Sequence, residues 1–211
     1  MLPTLNSWHV DAHKLLTMSE IDKIYDSLSK KAESSKCAKA NLVLFVLLTK
    51  LGMRISEALS ITMECVRLEC DAPHVIVPAT VAKMGKARMI PLWSIQAIEE
   101  LKAFKHLRNE MGALPSDVFF VSLSKGNSYG QPIARQVAGR RYKTMMKQAL
   151  SEERANELSC HSSRHTFISS CLSRGVSLVE TQRAAGHSSL QTTTIYSHLF
   201  IDRNSKSYNL D

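Results

Sequence analysis

Ala185-Gly186-His187-Ser188-Ser189-Leu190-Gln191-Thr192-Thr193-Thr194-Ile195-Tyr196 sets a histidine directly after a glycine break. A tyrosine follows about two and a half helical turns later. Gly186 suits the end of one helix, where a left-handed residue is needed. Ser188 or Ser189 can cap the next, which would carry Tyr196. Two upstream runs complete the pattern, His161-Ser162-Ser163-Arg164-His165 and Leu51-Gly52-Met53-Arg54-Ile55-Ser56-Glu57. Together they supply arginines, histidines and a tyrosine without an acidic cage for a metal. Such a set suits a phosphodiester, because cations can hold the phosphate oxygens while a phenol attacks phosphorus.

Outward from these runs the chain reads as mainly α with a small antiparallel β-sheet (α+β). Thr17-Met18-Ser19-Glu20 has capping-box spacing and predicts a helix through Leu28. The polar stretch Lys30 to Lys39 is expected to be a loop. Ala40 to Leu51 is apolar nearly all round, the mark of a central buried helix, and Gly52 ends it. A short helix is expected from Ile55 to Ile61. Val66 to Leu68, His74 to Val77 and Arg88 to Leu92 are short β-branched or alternating runs. Asp71-Ala72-Pro73 marks a turn between the first two, and Lys83-Met84-Gly85-Lys86 a hairpin tip between the last two.

Ser94 to Met111 has apolar residues at helical spacing. Asp117 to Leu123 reads as an extended piece. Gln131-Pro132 is expected to open the next helix, with proline in its tolerated first turn. That helix carries Arg135, Arg140, Arg141, Lys143 and Lys147, read as contacts to a nucleic-acid backbone. Cys160 to Leu172 reads as helical and is closed by Arg174-Gly175. Ser177-Leu178-Val179-Glu180 is a second capping box, opening a helix that stops at Gly186. Residues 1–16 lack a pattern and are expected to be a linker or a frayed N-terminal segment, leaving 17–211 as one domain.

The 211 residues include 27 Lys and Arg against 19 Asp and Glu, a net charge of +8. This excess favours a polyanionic partner. With 44% hydrophobic residues a real core is available. The five cysteines are odd in number and lack CxxC pairs, which argues against a disulfide framework. Leu42 to Leu48 is apolar but too short to span a bilayer. The expectation is therefore a cytoplasmic protein with a DNA or RNA partner, which outranks a membrane.

Metal-free phosphodiester cleavage adds charge to the non-bridging oxygens in the transition state, so preorganised cationic donors are the largest expected aid. Arginine stays charged and offers a planar fork to two oxygens. Arg54 and Arg164 are the two expected clamps, and His161 and His187 can add N–H donors or move a proton near neutral pH. A tyrosine hydroxyl titrates near pH ~10 unperturbed and needs cationic surroundings or a base to attack. The departing 5′ oxygen needs a proton, which a hairpin lysine can supply.

These runs, in this order, resemble the three boxes of the tyrosine recombinase, or phage integrase, family, and specifically its C-terminal catalytic domain. The first box resembles Leu51 to Leu59, the second His161 to Phe167, and the third Gly186 through Tyr196-Ser197-His198. The similarity covers roughly Leu16 to His198. It implies that Arg54, His161, Arg164 and His187 bind and activate the scissile phosphate. Tyr196 would attack it, leaving a 3′-phosphotyrosine and a free 5′ hydroxyl. Lys83 matches the hairpin lysine that serves as general acid, with Lys86 as the alternative. Glu57 matches an acid that orients the site.

The resemblance also implies no cofactor, neither metal nor ATP, and a homo-tetramer on two DNA sites, with a monomer in isolation as the alternative. Family hairpins usually have glycine after the lysine, where this chain has Met84. Ser163 stands where an apolar residue is common, and Ala184-Ala185 where larger apolar pairs are common. The resemblance also leads one to expect an N-terminal clamp domain, which 1–16 cannot form. The chain is thus expected to be either an excised catalytic domain or a naturally minimal recombinase. Two other functions fit part of the pattern: type IB topoisomerase-like strand relaxation, and a non-catalytic DNA-binding module.

Overall fold

A computed structural model of the chain describes residues 12–83 and 85–186. Eight α-helices and three short strands are found among them: α1 (Met18–Ala32), α2 (Lys36–Thr49), α3 (Ile55–Ala58), β1 (Val66–Arg67), β2 (His74–Val77), β3 (Arg88–Pro91), α4 (Ile95–Glu110), α5 (Arg135–Ala149), α6 (Glu152–Glu157), α7 (Cys160–Ser173) and α8 (Leu178–Ala185). Among the described residues no helix is long and apolar enough to cross a membrane.

The all-round apolarity of α2 is spent on burial. Leu42 through Leu48 are each at most 1% exposed, and the helix packs against α1, α4, α5 and α7. Each such Leu or Phe contributes about 1.5–3 kcal/mol relative to an exposed one, so this helix organises the fold. Past its end, Met53 N–H donates to Leu47 O at 3.1 Å and Gly52 takes a φ of 61°. A Cβ on Gly52 would lie 2.2 Å from the Phe167 ring. Glycine is required there because α7 passes directly against the turn that leads to Arg54.

The sheet is antiparallel in the order β1-β2-β3, with Val66 opposite Val75 and Val75 opposite Ile90. Val75, Val77 and Ile90 face the core by the period-2 rule. A second, smaller apolar cluster joins Phe167, Ile168 and Cys171 of α7 to Ala184 and Ala185 of α8. The seam where α8 and β3 meet the α2–α3 turn carries the candidate site.

Both capping boxes form, Thr17 with Glu20 and Ser177 with Glu180. Several boundaries differ from expectation. The lysine-rich stretch after Leu28 is largely helical: α1 runs on to Ala32, and Ser35 caps α2, its Oγ accepting from Ala38 N–H at 3.3 Å. Lysine and alanine are good helix formers, and three residues suffice to turn the chain. The helix after Gln131-Pro132 starts only at Arg135. Ser122 N–H donates to Gln131 O and Gly130 N–H to Ser122 O, both at 2.8 Å, which ties Gln131 to the preceding segment. α3 stops at Ala58 rather than Ile61. The 117–123 piece forms no strand among the described elements, only an isolated bridge of Val118 with Thr62. α6, capped by Ser151, was not anticipated, since six residues are too few to show a helical period.

The segment before α1 docks at its end. Leu16 is 5% exposed, and its N–H donates to Thr166 Oγ1 of α7 at 2.8 Å. Arg154 of α6 bonds the His13 and Leu15 carbonyls and pairs with Glu20 at 2.6 Å. Ser163, polar where an apolar side chain is common, is fully satisfied. It donates to Tyr142 OH at 2.8 Å and accepts from Thr49 Oγ1 at 3.1 Å, so the buried hydroxyls of α2, α5 and α7 answer one another.

Candidate active site

Three successive carbonyls at the C-terminal end of α8 receive three different guanidinium groups. Arg88 Nε donates to Ala184 O at 2.9 Å, Arg164 Nη2 to Ala185 O, and Arg54 Nη2 to Gly186 O at 3.4 Å. The last carbonyls of a helix have no intrahelical partner and carry the negative end of its dipole. A helix end thus gathers residues that lie 132 positions apart in the chain. Gly186 is left-handed, with φ 68°, and a Cβ on it would meet Arg88 Cδ at 2.7 Å. Glycine allows the helix end and the arginine to touch.

Arg54 caps α3. Its N–H donates to Glu57 Oε2 and its Nη1 to Glu57 Oε1, each at 2.9 Å. Arg88 meets the same carboxylate as a fork, at 3.0 and 2.6 Å. Glu57 is wholly buried. Burial alone would raise its pKa, but the bonds and charge of Arg88, followed by those of Arg54, outweigh this and hold it below the usual carboxylate range. Arg164 is 4% exposed and reaches back to Gly52 O at 2.7 Å.

His161 sits in the first turn of α7, edge-on to His165 with ring centres 5.5 Å apart. Partial burial lowers its pKa first, and the charges of Arg164, Arg54, Lys83 and Arg135 lower it further. The shift favours the neutral imidazole, in which one ring nitrogen donates a hydrogen bond and the other accepts one. Lys83 and Lys86 flank the β2–β3 turn. Together with Arg54, Arg88 and Arg183 they line an open cavity of about 520 Å³, and among the described residues no carboxylate is on its wall. Five cations facing this space form a receptor for an anion.

Of the expected site residues, Arg54, Lys83, His161 and Arg164 are brought together, with Lys86 on the cavity wall and Glu57 behind it. His187 and Tyr196 lie outside the described residues; His187 follows directly on Gly186. The α5 cations divide. Arg135 and Arg140 are exposed, and Arg135 acts on His161. Arg141 donates to Ser122 and Ser124, and Lys147 pairs with Glu152 at 2.6 Å. Lys143 donates to the carbonyls of Ala155, Asn156 and Leu158 at 2.7–2.9 Å, closing the end of α6. Sequence reasoning missed Arg88 and Arg183. Arg88 shares strand parity with buried Ile90, an inward position for a cation, which is a signal that it has an acid to meet.

The described geometry is that of a known family. The model of the phage integrase family matches residues 14–203. Tyrosine recombinase XerD of Shewanella oneidensis is 32% identical over 184 residues, covering 82% of this chain and 57% of the relative. Its namesake in Vibrio cholerae is 33% identical over 159 residues, covering 74% and 48%. The chain thus spans about half the length of the relatives it matches.

Among solved structures, a pre-cleavage complex of XerH site-specific recombinase bound to difH substrate superimposes with a TM-score of 0.68 at 25% identity, over 91% of this chain and 52% of that one. XerA recombinase shares the fold, with a TM-score of 0.70 at 20% identity over 93% and 66%. All these relatives are recombinases, which favours neither a topoisomerase nor a non-catalytic DNA-binding module. By a family match running over nearly its whole length, and with arginines gathered as the three boxes lead one to expect, this chain belongs to the phage integrase family.

Proposed function

We propose that residues 17–211 form the catalytic domain of a tyrosine-type site-specific DNA recombinase. The reading rests on one observation above all: Arg54 and Arg164 converge on the end of α8, one residue before His187. In this reading the arginines, His161 and His187 hold the non-bridging oxygens of a scissile phosphodiester. The Tyr196 hydroxyl passes its proton to one of the two histidines and its oxygen bonds to phosphorus as the bond to the 5′ oxygen breaks, while Lys83 delivers a proton to that leaving oxygen. The product is a 3′-phosphotyrosine with a free 5′ hydroxyl. Attack by a 5′ hydroxyl from another strand reverses the step, releases the tyrosine and returns both protons. The phosphotyrosine ester conserves the bond energy, so rejoining needs no nucleotide.

Double-stranded DNA is the partner in this proposal, with Arg135 and Arg140 on its backbone and four copies of the chain assembled on two sites. Such a protein would work on the nucleoid. The DNA site can be found by selecting bound duplexes from a random pool. A nicked duplex carrying that site should then trap a covalent adduct that is lost in Tyr196→Phe. An adduct of normal yield in that variant would remove Tyr196 as nucleophile. Sizing the chain on paired sites would test the tetramer.

A further inference from the structure

Arg88 is absent from the roles assigned above, yet all three nitrogens of its guanidinium group are bonded. Its fork takes both oxygens of Glu57 at 3.0 and 2.6 Å, while its Nε holds Ala184 O at 2.9 Å. Glu57 is also bonded by Arg54, through the guanidinium Nη1 at Oε1 and the backbone N–H at Oε2, each at 2.9 Å. The charge balance follows directly. Arg54, Arg88 and Arg164 bring three positive charges, and the buried Glu57 brings one negative charge. Without Arg88, the carboxylate would face Arg54 alone and neutralise the very group that is to meet the phosphate. Two charges packed this closely away from water interact strongly.

We propose that Arg88 is a positioning residue: it takes up the charge of Glu57, so that Glu57 can orient Arg54 while Arg54 keeps its full positive charge for the scissile phosphate. This inference rests on the recombinase reading. Arg88 need not touch the DNA. Its value at the site depends entirely on Glu57 being an anion, which separates this role from a merely structural one and from direct phosphate binding.

A double-mutant cycle tests the dependence. Rates of covalent adduct formation are measured on the nicked duplex for the unaltered chain, Arg88→Met, Glu57→Gln and the double variant. Arg88→Met alone should slow the adduct by about thirtyfold or more, short of the loss seen when a direct transition-state donor is removed. Removing Arg88 from the Glu57→Gln chain should cost about fivefold or less, because no carboxylate is left to neutralise Arg54. An equal loss in both backgrounds overturns the proposal, and so does an unchanged rate in Arg88→Met. Should Arg88→Met not fold by itself, the Glu57→Gln and double variants carry the test: a loss of thirtyfold between those two overturns it. Failure of the unaltered chain to form any adduct overturns the recombinase reading, and this inference falls with it.

Discussion

Two glycines show how closely the site is built on backbone conformation. Gly52 and Gly186 have φ of 61° and 68°, and a Cβ on either would meet a neighbour at 2.2 or 2.7 Å. Left-handed backbone costs a side chain about 1–2 kcal/mol before any clash. Gly186→Ala should therefore lower unfolding stability by roughly 2 kcal/mol or more and displace Arg88. An unchanged urea midpoint would contradict this. Glu57 supplies a pH signature at the same scale. Its folded pKa lies below its ordinary value of 4.5, so its contribution to stability is present above pH 4.5 and lost as pH falls through the folded value. The stability gap between the unaltered chain and Glu57→Gln should therefore narrow on acidification from pH 6 to pH 3. A gap independent of pH would mean that the carboxylate is not held by the arginines. Single residues were also the most legible level of the sequence. Arg54 and Arg164 could be selected from motif spacing alone, but nothing in the spacing says that both bond to the end of α8.

Among the elements, α5 separates what composition merges. Five cations on one helix suggest a single DNA-facing surface. Instead, Lys143 closes α6, the exposed Lys147 pairs with Glu152, Arg141 bonds two serines, and Arg135 and Arg140 are exposed. Lys143→Met should destabilise the fold by about 1–2 kcal/mol through three orphaned carbonyls, with little change in the salt dependence of DNA binding. Arg135→Gln and Arg140→Gln should each reduce the slope of log affinity against log salt by about one. Binding isotherms at several salt concentrations check both, and the reverse pattern would refute the division. Caps made element starts readable where a side chain does the capping, as at Thr17 and Ser177. The start of α5 was misjudged because Ala134 caps it without a side-chain bond, and because pairing of Ser122 with Gln131 takes residues that proline seemed to offer to the helix.

At the scale of the molecule, α7 couples the core to the site. Its His165 is pushed down to about 4, chiefly by burial and then by His161, Arg164 and Lys14. A histidine lowered on folding is protonated more readily in the unfolded chain, so acidification below the ordinary value of 6.5 favours unfolding. The stability that depends on neutral His165 is fully present above pH 6.5 and drains away toward pH 4. His165→Gln should flatten the fall in stability between pH 7 and pH 5; a slope unaltered by the substitution would clear His165 of responsibility. The buried helix α2, the three-strand insert, the two capping boxes and two of the gathered arginines, Arg54 and Arg164, were all determined by the sequence alone. Hydrophobic periodicity, side-chain capping and motif order are local properties that a linear string records. Only the tertiary structure decided that Arg88 shares Glu57 with Arg54, that Lys143 serves α6, and that one helix end collects three guanidinium groups. Those contacts join residues as far apart as 132 positions. They follow from which buried charges must find partners once the chain has packed, and no local pattern carries that information.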